Sequence, residues 1–147
     1  MQPQQIMTQL NIDRLADDIR TWAREAGFQD VGFTDINLDA YTPHLNDWLA
    51  RNFHGEMGYM ARNNNLRCHP DNLVPGTLSV ICVRMDYADT TTNSLEPLSE
   101  DAKAYVARYA RGRDYHKVIR KRLQRLASRI ESVIGPFGYR AFVESAP

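Results

Sequence analysis

The sequence predicts an α+β fold: a mixed or antiparallel sheet with helices packed on it. Three observations predict it. Residues 12–26 and 114–134 repeat apolar side chains at three- and four-residue spacing, the period of a helix with one buried face. Residues 78–87 (LSVICVRMDY) form a nearly continuous, β-branched run of strand length, which suits a central strand. Helical and strand stretches are mixed without the regular alternation of a parallel sheet. At 147 residues the chain has one-domain length and can bury a real core.

The elements follow in order. Asn11 is placed to cap the first helix, Ile12, Leu15, Ile19, Trp22, Ala23 and Ala26 form its stripe, and Gly27 closes it. Residues 30–35 (DVGFTD) alternate briefly and read as a strand. Thr42 and Pro43 open a second helix as cap and first-turn proline, with Leu45, Trp48 and Leu49 inward and Phe53 near its end. Residues 54–76 hold asparagines, glycines and prolines that break any long element. They predict a structured loop with a helical turn at 57–60. Residues 88–101 read as an exposed polar loop and 104–110 as a strand. Asp114 caps a helix to about Ile134, with Val118, Ile119, Leu123, Leu126, Ala127, Ile130, Val133 and Ile134 on its core side. Gly135-Pro136 stops it, and 139–145 read as a last strand.

Charge and cysteine usage narrow the function classes. Lys plus Arg equals Asp plus Glu at 18 each, so overall charge names no partner. Its distribution is uneven: residues 111–129 hold eight cations and one acid, Asp114. Cys68 and Cys82 stand fourteen apart with no CxxC, so this chain alone builds neither a zinc knuckle nor an iron–sulfur cluster. The simple reading is a reduced, cytoplasmic protein. The N-terminus lacks the pattern of a secretory signal, and no apolar run approaches membrane-spanning length.

The densest chemistry lies at residues 109–117, YARGRDYHK, which join an alternating segment to a basic helix. Gly112 and Asp114 serve a turn and a cap; the other side chains exceed what a connection needs. Arg111 and Arg113 precede a helix N-terminus, a place that suits an anion. Tyr115, His116 and Lys117 fill the first turn. Two readings stand for Lys117, Arg120, Lys121, Arg122, Arg125 and Arg129: a solvated helix face, or a surface that tracks phosphates. No GxGxxG or Walker sequence supports nucleotide hydrolysis. The four histidines share no metal-ligand spacing, so no metal bound directly by side chains is expected. Met57, Tyr59, Met60 and Leu66 read as core or as the wall of a pocket for a flat ligand. Arg67 reads as a surface residue or as a clamp for a carboxylate or amide. Glu144 ends an apolar strand. Such a carboxyl is either exposed or, with its pKa raised, a general acid.

HGEMGYMARN, LRCHPDNLVPGTLSVICVRMDY, YARGRDYHKVIRKRL and YRAFVESAP occur in that order. Together they resemble the N-terminal region of the epoxyqueuosine reductases, over about Ile12 to Pro147. GRDYHK and the terminal SAP are the most specific parts. The resemblance implies an N-terminal domain, 1–147, with the fold of cobalamin-processing and reductive dehalogenase enzymes, holding cobalamin and the modified anticodon base of a tRNA. It implies a two-electron, two-proton reduction of epoxyqueuosine to queuosine. Electrons come from a donor through two 4Fe–4S clusters, for which this chain has no ligands. Arg67 matches a cobalamin-contacting arginine and Ala107 a position that meets the corrin by its backbone. Glu144 falls on the proton donor, which is aspartate in the family. The chain stops before the cluster cysteines and helical repeats of that family. A truncated product that does not turn over alone is therefore expected. Two other readings are a non-catalytic RNA-binding module and a corrinoid carrier or processing protein.

Overall fold

The computed structural model describes residues 11–87, 102 and 104–143. It is an α+β arrangement: six helices and one antiparallel pair of strands among the described residues. Helix α1 spans Ile12–Glu25, and the Asn11 side chain accepts a hydrogen bond from the Arg14 N–H at 2.9 Å. Gly27 follows with φ of 88°, the left-handed geometry that ends a helix without a Cβ penalty. Strand β1 (Asp30–Thr34) then pairs antiparallel with β2 (Val80–Arg84), Asp30 facing Arg84 and Thr34 facing Val80.

Helix α2 spans Thr42–Ala50 with Pro43 in its first turn. Thr42 is not its cap: the hydroxyl donates back to the Leu38 carbonyl at 3.0 Å. Within the expected loop at 54–76, the helical turn at 57–60 is present as α3 (Gly58–Arg62), and two further short helices follow where loop was expected, α4 (Asn64–Cys68) and α5 (Pro70–Leu73). Asn63 and His69 stand at the joints with non-helical dihedrals, and Pro70 opens α5. The asparagines and prolines thus divide helix rather than prevent it. Asn64 Nδ2 donates to Asn46 Oδ1 at 2.8 Å and ties α4 to α2.

Helix α6 runs Tyr115–Ile134 from the Asp114 cap to Gly135, φ 86°. The core lies between α1 and α6, over the inner face of the strand pair. Ile19, Ala23, Phe28, Leu126 and Ile130 are its buried centre; Trp22, Val31, Ile81, Val83 and Ile119 pack on it. Val133 and Ile134, expected inward, are exposed.

Three strand expectations are corrected. Residues 104–107 are irregular and Arg108–Ala110 form a 3-10 turn, closed by Ala110 N–H to Ala107 carbonyl at 2.9 Å. Residues 139–143 join no ladder, although Val143 is buried. β2 is shorter than 78–87 and is not central among the described strands, since its one partner is β1. Alternation supplies a face for burial; a strand also needs a backbone edge to pair with. The expected loop at 88–101 lies outside the described residues, apart from the turn at residue 102 just beyond it. No described helix is long and apolar enough to cross a membrane.

Candidate functional site

The site begins at the start of α6. Asp114 Oδ1 accepts from the His116 backbone N–H at 3.0 Å and lies 3.1 Å from His116 Nδ1. Lys117 Nζ stands 3.9 Å from Oδ2. The His116 side-chain hydrogen bond, helped by its backbone N–H and by the two nearby cations, holds the Asp114 carboxyl below the usual aspartate range. Desolvation, the second-largest influence, pulls the other way. The His116 ring stacks on Tyr115 with centroids 4.1 Å apart. Tyr109 stands edge-on to Tyr115 at 6.3 Å and to Tyr87 at 6.4 Å. Four rings from three segments therefore form one continuous row.

Behind this row is an open cavity of roughly 530 Å³. Arg108, Arg111, Arg113 and Arg122 supply its cations, and Tyr87, Tyr109 and Tyr115 its rings. Gly27, Gln29 and Met85 form part of its floor. Its one acid among the described residues, Asp86, is engaged by Arg84 Nε at 3.1 Å. Arg111 donates from Nε to the Val106 carbonyl at 2.8 Å and lies over the Tyr105 ring. Gly112, with φ of 85°, allows the reversal that puts Arg111 and Arg113 on the same recess.

The basic helix is not one solvated face. Arg122 turns inward, and its Nη1 donates to the Gly27 carbonyl at 3.1 Å and touches Met85 Sδ at 3.3 Å. Arg129 pairs with Glu25 and lies 4.8 Å from the Trp22 ring centre, joining α6 to α1. Arg120, Lys121 and Arg125 stay exposed.

Among the residues singled out from sequence, the structure brings Arg111, Arg113 and Tyr115 together on the cavity. His116 and Lys117 sit beside Asp114 and do not line it. Arg67 is elsewhere, half-buried on α4, with its Nε buried and without a partner. Ala107 precedes the 3-10 turn, and its carbonyl is used by Ala110. Met57 and Tyr59 are exposed, so they are not simple core; Met60 and Leu66 are half-buried. Glu144 lies outside the described residues. Sequence reasoning missed Tyr87, Arg108 and the inward role of Arg122. For Arg122 a signal existed: it stands four residues after Val118 and seven after Tyr115, both of which face the recess. That spacing is one helix face.

Fold and cavity define a small α+β protein with a cationic, tyrosine-lined recess. A family model described as epoxyqueuosine reductase QueG, DUF1730, matches residues 67–145, more than half of the chain. The chain belongs to this family. Relatives named epoxyqueuosine reductase include one from Pseudomonas aeruginosa, 56% identical over 134 residues, and one from Xanthomonas campestris, 54% identical over 130. A third, from Escherichia coli, is 45% identical over 138 residues. The alignments cover 91%, 88% and 94% of this chain but 37%, 37% and 36% of those relatives. No solved structure gives a significant match.

Proposed function

We propose that residues 1–147 are the cobalamin- and substrate-binding N-terminal domain of an enzyme that reduces epoxyqueuosine to queuosine in a tRNA anticodon. The carrying observation is the family match over residues 67–145, which takes in Arg67, Ala107, the junction and Glu144. The fold would be that of cobalamin-processing and reductive dehalogenase enzymes, and the cell compartment that of its tRNA, the cytoplasm.

Cobalamin carries its cobalt in its own ring, so the protein must supply donors to the amides and phosphate on the rim. The residues present fit that demand. The Arg67 Nε–H is buried and unpartnered, a state that costs about 1–3 kcal/mol until an acceptor arrives. A rim carbonyl would satisfy it, and Ala107 would approach the corrin by its backbone. Among the described residues no three His, Cys, Asp or Glu side chains converge as metal ligands. They do not fit an iron–sulfur cluster.

When bound, cobalamin supplies electrons to the epoxide carbon. The rest falls to the chain. Arg67 and Ala107 hold the rim. Glu144 gives a proton to the departing oxygen, which leaves as water after a second proton. Glutamate places that acid one methylene further out than the family's aspartate, and misplacement of about 1 Å is costly. The external electron donor would act through parts of the longer relatives, so this chain alone is expected not to turn over.

Incubation with cob(II)alamin tests the reading through the visible absorption spectrum. A shift on binding is expected, and Arg67→Ala should weaken it about tenfold. Absence of any shift, alongside tight and salt-dependent tRNA binding, would favour a non-catalytic RNA-binding module. A shift without tRNA affinity would favour a corrinoid carrier. With a strong chemical reductant and added cobalamin, at most single-turnover conversion is expected. Sustained turnover with a physiological donor would overturn the claim of dependence on further parts. Replacing the matching acid by its amide in a full-length relative should depress the rate, and an unchanged rate would remove that position from the mechanism.

A further inference from the structure

The cavity presents two kinds of wall, and they suit two parts of one ligand. Two of its cations have no counter-charge among the described residues. Arg122 is half-buried and makes no ion pair among the described residues; its partners are a carbonyl and a thioether. Arg113 is exposed and likewise makes no ion pair among the described residues. The one acid in the lining among the described residues, Asp86, already faces Arg84. A partly desolvated guanidinium without a counter-charge favours an anion that completes its hydrogen bonds. The other side is aromatic and open: Tyr87 is 66% exposed and Tyr109 55%. Open tyrosine faces beside arginines are what single-stranded nucleic acid uses, rings for bases and guanidinium groups for phosphates. The recess volume suits one nucleotide.

We infer that this cavity binds one nucleotide of a single-stranded RNA, its phosphate against Arg113 and Arg122 and its base against Tyr87 or Tyr109. The choice of RNA as the polyanion rests on the proposed tRNA-acting function; the two-part recess is a property of the structure itself. Gly27 is the positioning element. A Cβ there would lie 2.6 Å from Arg122 Nη1 and 3.2 Å from Cζ. A side chain at Gly27 therefore pushes the guanidinium off its carbonyl without removing the charge.

The probe is a labelled short oligouridylate, with an abasic strand of equal phosphate number beside it, read by fluorescence anisotropy across a salt series. Arg113→Met and Arg122→Met should each weaken binding about tenfold and reduce the log–log salt slope by about 0.7, one phosphate's worth for a single strand. Arg125→Met, on the exposed face of α6, should stay within about twofold at the same salt. Gly27→Ala should mimic Arg122→Met in binding with every cation present, its thermal melt read beside it because a side chain at φ 88° strains the backbone. Tyr87→Leu should weaken oligouridylate about tenfold and leave the abasic strand unchanged. Equal losses for Arg125→Met and Arg113→Met would spread the binding along the helix and overturn the inference. Equal losses from Tyr87→Leu on both strands would do the same. Weakened cob(II)alamin binding with unchanged RNA affinity in the arginine variants would assign the recess to the cofactor's phosphate, again overturning it. A missing cob(II)alamin shift with the RNA pattern intact would sink the cobalamin reading alone. Should Arg122→Met fail to fold by thermal melt, Arg113→Met decides, since an exposed side chain without partners has no part in the core.

Discussion

At Asp114 one carboxylate serves two donors of the same residue, the His116 amide and ring. It ends the search for a cap at the start of α6 and fixes where the basic helix begins. Replacing it with alanine removes the N-cap and should lower stability, seen as a lowered midpoint in denaturant. Asp114→Asn should recover most of that. The sign of the pH dependence follows from the lowered pKa. A folded-state pKa below the unfolded one gives stability that is complete above the ordinary aspartate range. It is lost as pH falls from there through the lowered folded value. The Asp114→Ala variant should therefore converge with the wild type in strong acid and differ from it near neutrality. A constant difference across that acid window would rule out ionisation as the source. The cysteines give a second residue-scale expectation. Cys82 is exposed, and Cys68 is buried with its thiol 3.3 Å from Asn64 Oδ1. A maleimide should modify one thiol quickly in native buffer and both after denaturation. Peptide mapping that finds Cys68 labelled first would contradict the packing of α4. Asp114 was plain in the sequence because cap chemistry is local. Arg122 was harder, since its role depends on a glycine carbonyl 95 residues away in the chain.

Among the elements, helices were legible and strands only in part. The stripes of α1 and α6 match their structures except at the ends, where Ile12, Val133 and Ile134 are exposed, because helical hydrogen bonds close within four residues and need nothing distant. Strands need a partner edge, which periodicity does not reveal. Residues 104–110 alternate well, yet their alternation is spent on local arrangements: Arg111 over Tyr105, and Tyr109 against Tyr87. Of the three short helices of 58–73, the first was legible as a helical turn and the other two were hidden for a different reason. Each has no more than five residues, too few for a stripe to register. Joining α3 to α4 by Asn63→Ala tests the role of the joint. Helicity by far-UV circular dichroism should rise slightly, while the Asn64–Asn46 tie between α4 and α2 should be strained. The candidate site shows the same divide. Arg111, Arg113 and Tyr115 were found because they are neighbours in sequence; Tyr87 joins them only through the path of the chain.

For the molecule as a whole, the core is narrow. Its fully enclosed aromatic, Phe28 at 2% exposure, sits just after the glycine that ends α1 and is shared by α1, α6 and the strand pair. Phe28→Ala should cost about 3–5 kcal/mol, a large part of the total stability of a domain this size. Loss of a cooperative thermal transition is expected; a midpoint lowered by only a few degrees would mean that the core lies elsewhere. Charge is arranged on the same scale. The net is zero, yet α6 and its approach are strongly cationic, so ionic strength should govern association with a polyanion far more than it governs folding.

The two-stranded sheet carries a kinetic signature. In an antiparallel pair each strand turns alternate amides toward its neighbour and the others outward. With β1 and β2 paired only to each other among the described residues, their deuterium uptake should alternate along 30–34 and 80–84, slow at one residue and fast at the next. The outward-turned amides thus act as a reporter. Whenever a further strand comes to lie along either edge, the fast positions of that strand slow down, and their location identifies which edge has been occupied.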